Sequence, residues 1–244
     1  IWKGLVGSEM CIRDSLAILQ LQEQGKVSLD DKVRDLIPEI EFENQWEDTH
    51  PVLVSHLLEH TTGWDDIHLA EYAHNEPDPI SLKDALDFHP DSRTSRWIPG
   101  SRMSYCNAGP PVAAYIVEKI TGQVFENYVQ EQFFDLIGMT SATYFKDAAY
   151  DSLGTALYQG TAPQDYWHIL VRPSGSINAS AKDMAAYVSF FLNRTAIEGT
   201  PLLTEASLQR MEKVGTTSAA EAGMRAGYGL SNYTSSYEGF YYQG

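Results

Sequence analysis

Helix start and stop signals recur along most of this chain and leave little of it for a sheet. Ser81 and Ser180 each stand three residues before an aspartate and ahead of an apolar run, the spacing of a helix-capping box. Gly25, Gly63, Gly122 and Gly138 close segments with apolar residues at helical spacing, and Thr204 is predicted to cap a short helix after it. The segments predicted to be helical are 16–25, 28–37, 51–60, 81–89, 107–122, 124–138, 180–193 and 204–213. The pattern predicts a domain made mostly of helices.

The pattern changes near the C-terminus, where tyrosine and phenylalanine become frequent. We expect YGLSNYTS (228–235) and EGFYYQG (238–244) to form two strands joined by a turn. Residues 39–50 and 65–80 lack a period and are predicted to be loops, and 96–105 is predicted to hold a Pro-Gly turn followed by a short extended piece. The sequence contains no internal repeat or low-complexity linker, so we expect one domain or part of one.

Composition and charge exclude several classes of protein. The 244 residues include 33 acidic and 17 basic side chains, giving a formal net charge of −16. This charge argues against a nucleic-acid partner, because such a protein needs a basic face. The longest apolar run, 110–117, is much shorter than the roughly 18 residues expected of a membrane-spanning helix. We therefore expect a globular domain with no nucleic-acid partner and no membrane segment.

The first fifteen residues are predicted to have a different origin from the rest. Residues 5–15, LVGSEMCIRDS, match letter for letter the translation of a transposon-end adapter used to prepare sequencing libraries. We therefore expect residues 1–15 not to be native, and we exclude them from the fold prediction as a scar. The native part is then a partial domain over residues 16–244. Its single cysteine, Cys106, cannot form an internal disulfide.

The triplet Tyr105-Cys106-Asn107 suggests chemistry because it stands between a Pro-Gly turn and a predicted helix. A phenol, with a pKa of about 10, becomes a useful base when a nearby cation stabilises the phenolate. Beside a lysine it can take a proton from a serine hydroxyl and return it to a leaving group. The carboxamide of Asn107 offers one acceptor and two donors to a substrate. The triplet alone is weakly specific, and a structural role is the alternative.

A second chemical hypothesis comes from His56, Glu59 and His60. They follow the H-x-x-E-H pattern, in which two histidines on one helix face bind zinc and the glutamate acts as a base. A zinc hydrolase would also need a third ligand from a distant helix, which nothing singles out. The alternative is that both histidines are structural. The surrounding segment LLEHTTGW (57–64) combines small hydroxyl residues with glycine, which is typical of a tight structural loop.

Taken in order, segments from Leu16 nearly to the end resemble the serine β-lactamase and penicillin-binding-protein superfamily. The resemblance is greatest to its class C β-lactamase, esterase and D-aminopeptidase-like branch. The segments that carry it are LAILQLQEQGKVSLDD, HLLEHTTGW, WIPGSRMSYCNAGPPVAAYIVEKITGQVFENYV, LIGMTSATYF, PSGSINASAKDMAAYVSFFL and YGLSNY. The resemblance implies an α/β fold of the β-lactamase type, with a helical domain beside an antiparallel sheet. This chain would hold mostly the helical part and two C-terminal strands.

The resemblance also implies roles for residues. Tyr105 matches the tyrosine of the family's Y-x-N motif, which works with a lysine as acid and base, and Asn107 matches the asparagine that contacts the substrate. His60 would be structural, which weakens the zinc hypothesis. The implied reaction transfers an acyl group to serine and then hydrolyses it, with no metal and no organic cofactor. The substrate would be a β-lactam, a D-amino-acid peptide or a small ester. Residues 64–66 would line the site or form an ordinary surface loop.

Two of the family's three catalytic motifs are missing from the expected native part. The S-x-x-K motif, whose serine is the nucleophile, would fall on Ser8 and position 11. Cys11 replaces its lysine and both positions lie in the adapter segment, so Ser8 is not taken as catalytic. The third motif, H-x-G or K-T-G, helps form the oxyanion hole and would follow Gly244. We therefore expect an inactive fragment of a serine hydrolase. A non-catalytic sensor or scaffold and, less favoured, a zinc hydrolase are the alternatives.

The resemblance implies further properties of the parent and of the fragment. An exported parent, periplasmic or secreted, fits the family, although no residue here indicates it directly. Neither the oligomeric state nor the choice among the three substrates follows from the sequence. Absent strands would leave unpaired sheet edges, so we expect the fragment alone to be poorly soluble. A sharp, reversible thermal transition from a monomer would contradict this expectation.

Overall fold

Helices dominate the described part of the chain, and two small sheets accompany them. The computed structural model describes residues 12–72, 74, 80–166, 168–196 and 198–243. The α-helices are α1 (Ile12–Glu23), α2 (Val33–Leu36), α3 (Val54–Leu58), α4 (Leu69–Tyr72), α5 (Leu82–Asp87), α6 (Gly109–Thr121), α7 (Phe125–Val129), α8 (Asp135–Ile137), α9 (Ala148–Leu153), α10 (Ala181–Asn193), α11 (Glu205–Glu212) and α12 (Ser218–Glu221). The strands are β1 (Leu157–Gln159), β2 (Ala162–Gln164), β3 (Gly227–Tyr228), β4 (Tyr233–Tyr237) and β5 (Phe240–Gln243). Tight 3₁₀ turns occupy Pro90–Arg93 and Arg172–Ser174, and a π-helical turn, Gln130–Phe134, joins α7 to α8.

The main core forms where α6 packs against α1, α3 and α5. Leu19 of α1 and Ile116 of α6 are fully buried there. Burial of each such side chain stabilises the fold by about 1.5–3 kcal/mol. Pro110 and Pro111 lie in the first turn of α6, where a missing N–H breaks no helical hydrogen bond. As a result α6 starts at Gly109, just after Asn107 rather than at it.

The caps predicted from the sequence form at three helices. The side chains of Ser81, Ser180 and Thr204 accept hydrogen bonds from the backbone N–H three residues later, at the starts of α5, α10 and α11. Ser180 and Asp183 form a reciprocal capping box. A cap of this kind contributes about 1 kcal/mol because it satisfies a donor that the helix cannot. The sequence prediction for these three helices is therefore confirmed.

Two helices start later than predicted. Pro51 is not the first residue of α3, because Leu53 forms an antiparallel bridge with Lys32 and the helix begins after it. Ser28 does not cap α2. Its backbone N–H donates to the carboxylate of Asp31 at 2.7 Å, so this acidic segment forms a turn ahead of the helix. In both places a local pairing takes precedence over the expected helix start.

The predicted pair of C-terminal strands is in fact a three-stranded antiparallel sheet in the order β3-β4-β5. The first expected strand is split by a turn, in which the Gly229 N–H donates to Asn232 O at 2.9 Å and Ser231 has a φ of 56°. A Cβ at Gly229 would lie 2.1 Å from Met211 O, so only glycine fits there. On the hairpin of β4 and β5, Tyr237 and Phe240 are exposed.

Several short elements lie in segments that the sequence did not predict. The expected loop at 65–80 contains α4, and α9, α12 and the β1-β2 hairpin follow no clear apolar period. The helix predicted at 124–138 is confirmed as α7, the π-helical turn and α8 in succession. Among the described residues, no helix combines the length and the apolar character that a bilayer span requires.

Candidate active site

Tyr105 ends an extended segment that is fastened to the loop after α3. The Ser104 N–H donates to His60 O at 2.9 Å. Gly100 adopts a φ of +82°, and a Cβ there would lie 2.9 Å from Nε2 of His56. A side chain at position 100 would therefore clash as well as strain the backbone. The Pro-Gly turn thus fixes where Tyr105 stands relative to the two histidines.

Two rings, those of His60 and Tyr228, pack against the Tyr105 ring. The centroid of the Tyr105 ring lies 4.3 Å from that of His60 and 5.8 Å from that of Tyr228 in β3. His60 and Tyr228 meet edge to face at 4.9 Å. His60 also has a φ of 54°, a left-handed conformation that is uncommon for a residue with a side chain. The three ring centroids thus form a triangle, and packing against His60 and Tyr228 holds the Tyr105 ring.

The buried groups beside Tyr105 carry no charge at neutral pH. Burial lowers the pKa of His60 to about 4, and its Nδ1 donates to Cys106 O at 3.2 Å. Burial raises the pKa of the Cys106 thiol to about 12, and the Sγ–H donates to Asp65 O at 2.9 Å. A thiol with so high a pKa is a poor nucleophile. Neither His60 nor Cys106 therefore supplies a charge to this site.

Asn107 is fixed by Asp66, a residue from the loop after α3. Its side-chain Nδ2 donates to both carboxylate oxygens of Asp66, at 3.0 and 3.1 Å, and its backbone N–H donates to the same carboxylate at 2.8 Å. A carboxylate only accepts, so Nδ2 must face it and Oδ1 must point elsewhere. The Ser174 hydroxyl donates to the Asn107 backbone carbonyl at 2.6 Å. The side chain of Asn107 is therefore held in a defined orientation.

The ring cluster is connected to the first turn of α1. Three residues after Tyr228, the Ser231 N–H donates to Leu58 O at 2.7 Å. The Ser15 hydroxyl donates to the Ser231 hydroxyl at 3.0 Å. Ser15 lies in the first turn of α1, and Leu58 ends α3. The turn between β3 and β4 thus links the first turn of α1 to the end of α3.

His56, Glu59 and His60 do not form the zinc site considered from their spacing. The His56 Nδ1 accepts from the Leu53 N–H at 3.2 Å, and His60 is bonded to the Tyr105 segment. Glu59 is buried, forms an ion pair with Arg210 and accepts from the Thr216 N–H at 2.9 Å. In the part of the chain that the structure describes, these three side chains do not offer ligand atoms to one point. Their hydrogen bonds indicate structural roles.

The comparison with known families decides what kind of protein this is. A sequence profile of the Beta-lactamase family matches residues 15–244. The chain belongs to the Beta-lactamase family. Penicillin-binding protein 4 of Amycolatopsis lactamdurans is 26% identical over 218 residues, covering 85% of this chain and 55% of the relative. A D-aminopeptidase of Cereibacter sphaeroides is 29% identical over 113 residues, 44% of this chain and 22% of the relative.

Solved structures give the same fold for this family member. The octameric penicillin-binding protein homologue from Pyrococcus abyssi matches 98% of this chain and 55% of its own with a TM-score of 0.76 at 23% identity. A D-stereospecific amidohydrolase from Streptomyces sp. matches 98% of this chain and 73% of its own with a TM-score of 0.74 at 20% identity. The predicted family and fold class are confirmed. The chain spans about half the length of the first curated relatives that it matches.

Tyr105 and Asn107 lie two residues apart ahead of α6, and the structure adds contacts to them that the sequence prediction did not assign. Asp66 orients Asn107, although the sequence had left 64–66 between a site loop and a surface loop. Tyr228 packs on Tyr105 from 123 positions away in the chain. The signal for Asp66 was its place directly after a glycine-containing loop, which is a common position for functional residues. Nothing local marked Tyr228.

Proposed function

We propose that this chain is part of a serine hydrolase that transfers an acyl group from a small substrate to a serine and then to water. In this proposal a serine and a lysine that precede α1 in the parent supply the nucleophile and its cation. Tyr105 moves a proton from the serine hydroxyl to the leaving group, and Asn107 orients the acyl portion. Membership of the Beta-lactamase family supports the reaction class.

The observation that carries the proposal is that the loop after α3 holds the segment with Tyr105 and Asn107 in place. The Ser104 N–H donates to His60 O at 2.9 Å, and the Asp66 carboxylate accepts from the Asn107 side chain at 3.0 Å. In this proposal the serine that precedes α1 lies within hydrogen-bond distance of the Tyr105 hydroxyl. Proton transfer requires such proximity, since acid and base must come within hydrogen-bond distance of the reacting atoms.

The contacts of Asn107 support a specific role. Because Asp66 engages its Nδ2, the side chain presents its Oδ1 as an acceptor. An acceptor suits the N–H of an acylamino or amino group on the substrate. Relatives named as a penicillin-binding protein, a D-aminopeptidase and a D-stereospecific amidohydrolase support a β-lactam or a D-amino-acid amide. A small ester is the third substrate class within the proposal. An exported location for the parent is also part of it.

We expect the chain as it stands to be inactive, because the segment expected to carry the nucleophile is replaced by the adapter sequence. The measurement is hydrolysis of nitrocefin, a D-alanyl anilide and a nitrophenyl ester, together with covalent labelling by a fluorescent penicillin. No turnover and no label are expected. Labelling of Ser8 at a stoichiometry near one would contradict the assignment of that residue to a scar.

The decisive experiment uses the parent gene, sequenced across both ends of this chain. We expect S-x-x-K ahead of Leu16, with its lysine at the position that Cys11 occupies here, and H-x-G or K-T-G after Gly244. Substitution of Tyr105 by phenylalanine in that protein should lower kcat/KM by about 10²–10⁴-fold, the usual contribution of general acid–base catalysis. Tyr158→Phe, on the exposed strand β1, is the matched control and should change nothing.

Two results would overturn the proposal. One is an intact parent without S-x-x-K or without the third motif, which would leave a non-catalytic sensor or scaffold of the same fold. The other is a Tyr105→Phe parent with full activity on the best substrate. The control Tyr158→Phe tests whether a loss of activity in Tyr105→Phe is specific to that position.

A further inference from the structure

His68, His89 and Asp91 converge on one surface point about which the proposed reaction says nothing. One ligand atom from each of the three residues lies within 4.8 Å of the others. The two imidazole rings are 4.4 Å apart between centroids. The His89 Nδ1 and an Asp91 carboxylate oxygen are separated by 3.7 Å, which is too long for a hydrogen bond. The three groups are thus close together without bonding one another closely.

Glu71 fixes the ring of His68 from the buried side. It is 1% exposed, and its Oε2 accepts from the His68 backbone N–H at 2.8 Å and from the ring Nδ1 at 3.2 Å. The Ser92 hydroxyl lies 2.9 Å from the same Nδ1. Because a carboxylate only accepts, Nδ1 carries the proton and Nε2 keeps its lone pair. A carboxylate behind a histidine in this way is the usual outer-shell arrangement of a metal ligand.

We propose that His68, His89 and Asp91 bind one divalent transition-metal ion of the zinc class, with Glu71 as the outer-shell carboxylate. Two imidazoles and one carboxylate form a donor set that zinc takes, with water completing the tetrahedron. Bonds of about 2.0–2.2 Å place neighbouring ligands about 3.3 Å apart. The ligand atoms here lie within 4.8 Å of one another, and rotation of the side chains, two of which are exposed, can bring them to the shorter distance.

The backbone around the three ligands is held firmly enough to present them together. His89 and Asp91 flank the start of the 3₁₀ turn at 90–93. Arg93 at the end of that turn is buried, and its guanidinium donates to Leu86 O at 2.8 Å and to Glu41 O at 2.9 Å. Ligands on an anchored turn lose little freedom on binding, which favours affinity.

The charges near the site favour a cation. Glu41, Glu71, Asp87 and Asp91 all act on the guanidinium of Arg93, so four carboxylates lie around one fixed positive group. The whole chain carries a formal net charge of −16. A bound divalent ion would also join the segment that leads into α4 to the 3₁₀ turn. His68 stands two residues after Asp66, so the ion would steady the loop that holds Asn107.

The test measures zinc binding by isothermal titration calorimetry in a Cys11→Ser background, because a free thiol outside the described residues could bind zinc by itself. We expect one ion per chain, with magnesium and calcium giving no heat, since those ions prefer all-oxygen sites. His89→Ala should weaken binding more than about tenfold through loss of one ligand. Glu71→Gln should weaken it about 10–100-fold, as for other outer-shell carboxylates.

The matched control is His50→Ala, at an exposed histidine whose ring is hydrogen bonded to its neighbour Thr49. It should leave the zinc affinity unchanged. Melting curves in EDTA establish that each variant folds without metal. The proposal fails if no zinc binds at stoichiometric level, or if His89→Ala and His50→Ala bind zinc equally well. Cobalt gives a second readout, because tetrahedral Co²⁺ absorbs visible light far more strongly than the six-coordinate ion in water, and His89→Ala should abolish that band.

Discussion

Two regions of this molecule bury charged side chains and treat them in opposite ways. Between α7 and the 3₁₀ turn that follows β2, Glu126 and Arg172 form an ion pair in the interior, and a second Arg172 nitrogen donates to Ile80 O at 3.0 Å. In the first turn of α1, Asp14 is fully buried, and neither of its carboxylate oxygens accepts a hydrogen bond from any described residue. Burial raises the pKa of Asp14 well above its usual range.

The two regions differ in how well the neighbouring groups compensate the buried charge. A buried charge is tolerated when a partner and hydrogen bonds replace the lost water, and it is costly when they do not. Glu126 meets that condition at its Oε1, which the Arg172 guanidinium engages, whereas its Oε2 has no hydrogen-bond partner among the described residues. Asp14 meets it only through the charge of its neighbour Arg13, because neither of its oxygens accepts a hydrogen bond from a described residue. The guanidinium of Arg13 lies 4.7 Å from the centre of the Tyr144 ring. The lack of hydrogen bonds to Asp14 is in line with the proposal that residues 1–15 are not native.

Breaking the buried ion pair between Glu126 and Arg172 has the largest expected effect on stability. Glu126→Gln removes one charge and leaves the buried guanidinium of Arg172 without its counter-charge. We expect the free energy of unfolding to fall by about 3–5 kcal/mol, the usual result of breaking a buried ion pair. The measurement is urea denaturation at pH 7.5. Lys83→Gln, which breaks the surface pair with Asp87, is the control and should cost less than about 0.5 kcal/mol. Equal losses in the two variants would show that burial is irrelevant to the pair.

The buried histidines His56 and His60 add a third case to the comparison of buried ionisable groups, because they stay neutral and so bury no charge. Burial lowers the pKa of both His56 and His60 to about 4, against about 6.5 in the unfolded chain. Between these values the unfolded state binds more protons, so stability is fully present above pH 6.5 and is lost as the pH falls toward 4. From pH 7.5 to 5 we expect a loss of about 2 kcal/mol for each histidine. Asp14 opposes this trend, since its raised pKa favours folding as it becomes protonated.

The variant His60→Asn isolates one of the two histidines, and asparagine tolerates the left-handed backbone at that position. Its free energy of unfolding should depend less on pH than that of the unmodified chain, by about 2 kcal/mol over the same interval. Denaturation curves at pH 7.5, 6 and 5 give the two slopes. Parallel slopes would mean that His60 titrates normally in the folded protein.

Local sequence predicted the features that depend on local sequence. The caps at Ser81, Ser180 and Thr204 and the glycine ends of α6 and α8 were found because a helix start or stop is set by a few neighbouring residues. The helices α4 and α12 were missed because four residues show no period. The split between β3 and β4 was missed because the close approach of Gly229 to a distant carbonyl has no local signal.

In the candidate site, too, the residues predicted from local sequence differ from those positioned by distant contacts. Tyr105 and Asn107 were predicted from a triplet and from the order of family segments, which are properties of the sequence. The hold of Asp66 on Asn107 and the packing of Tyr228 on Tyr105 are contacts across 41 and 123 positions. Such contacts depend on how the helices pack, so no spacing rule indicates them. The convergence of His68 with His89 was invisible for the same reason.

Substitution of Asp14 has the smallest expected effect on stability and tests whether its buried carboxylate destabilises the fold. Asp14→Ala removes a buried carboxylate that accepts no hydrogen bond from the described residues, so we expect the free energy of unfolding to rise by at least about 1 kcal/mol at pH 7.5. Urea denaturation measures it, and Asp48→Ala, at an exposed position, should stay within about 0.5 kcal/mol of the unmodified chain. Because the raised pKa of Asp14 reduces its charge, the gain should shrink as the pH falls. A loss of stability on removing Asp14 would mean that its carboxylate has a native partner, and the case for a foreign first turn in α1 would then fall.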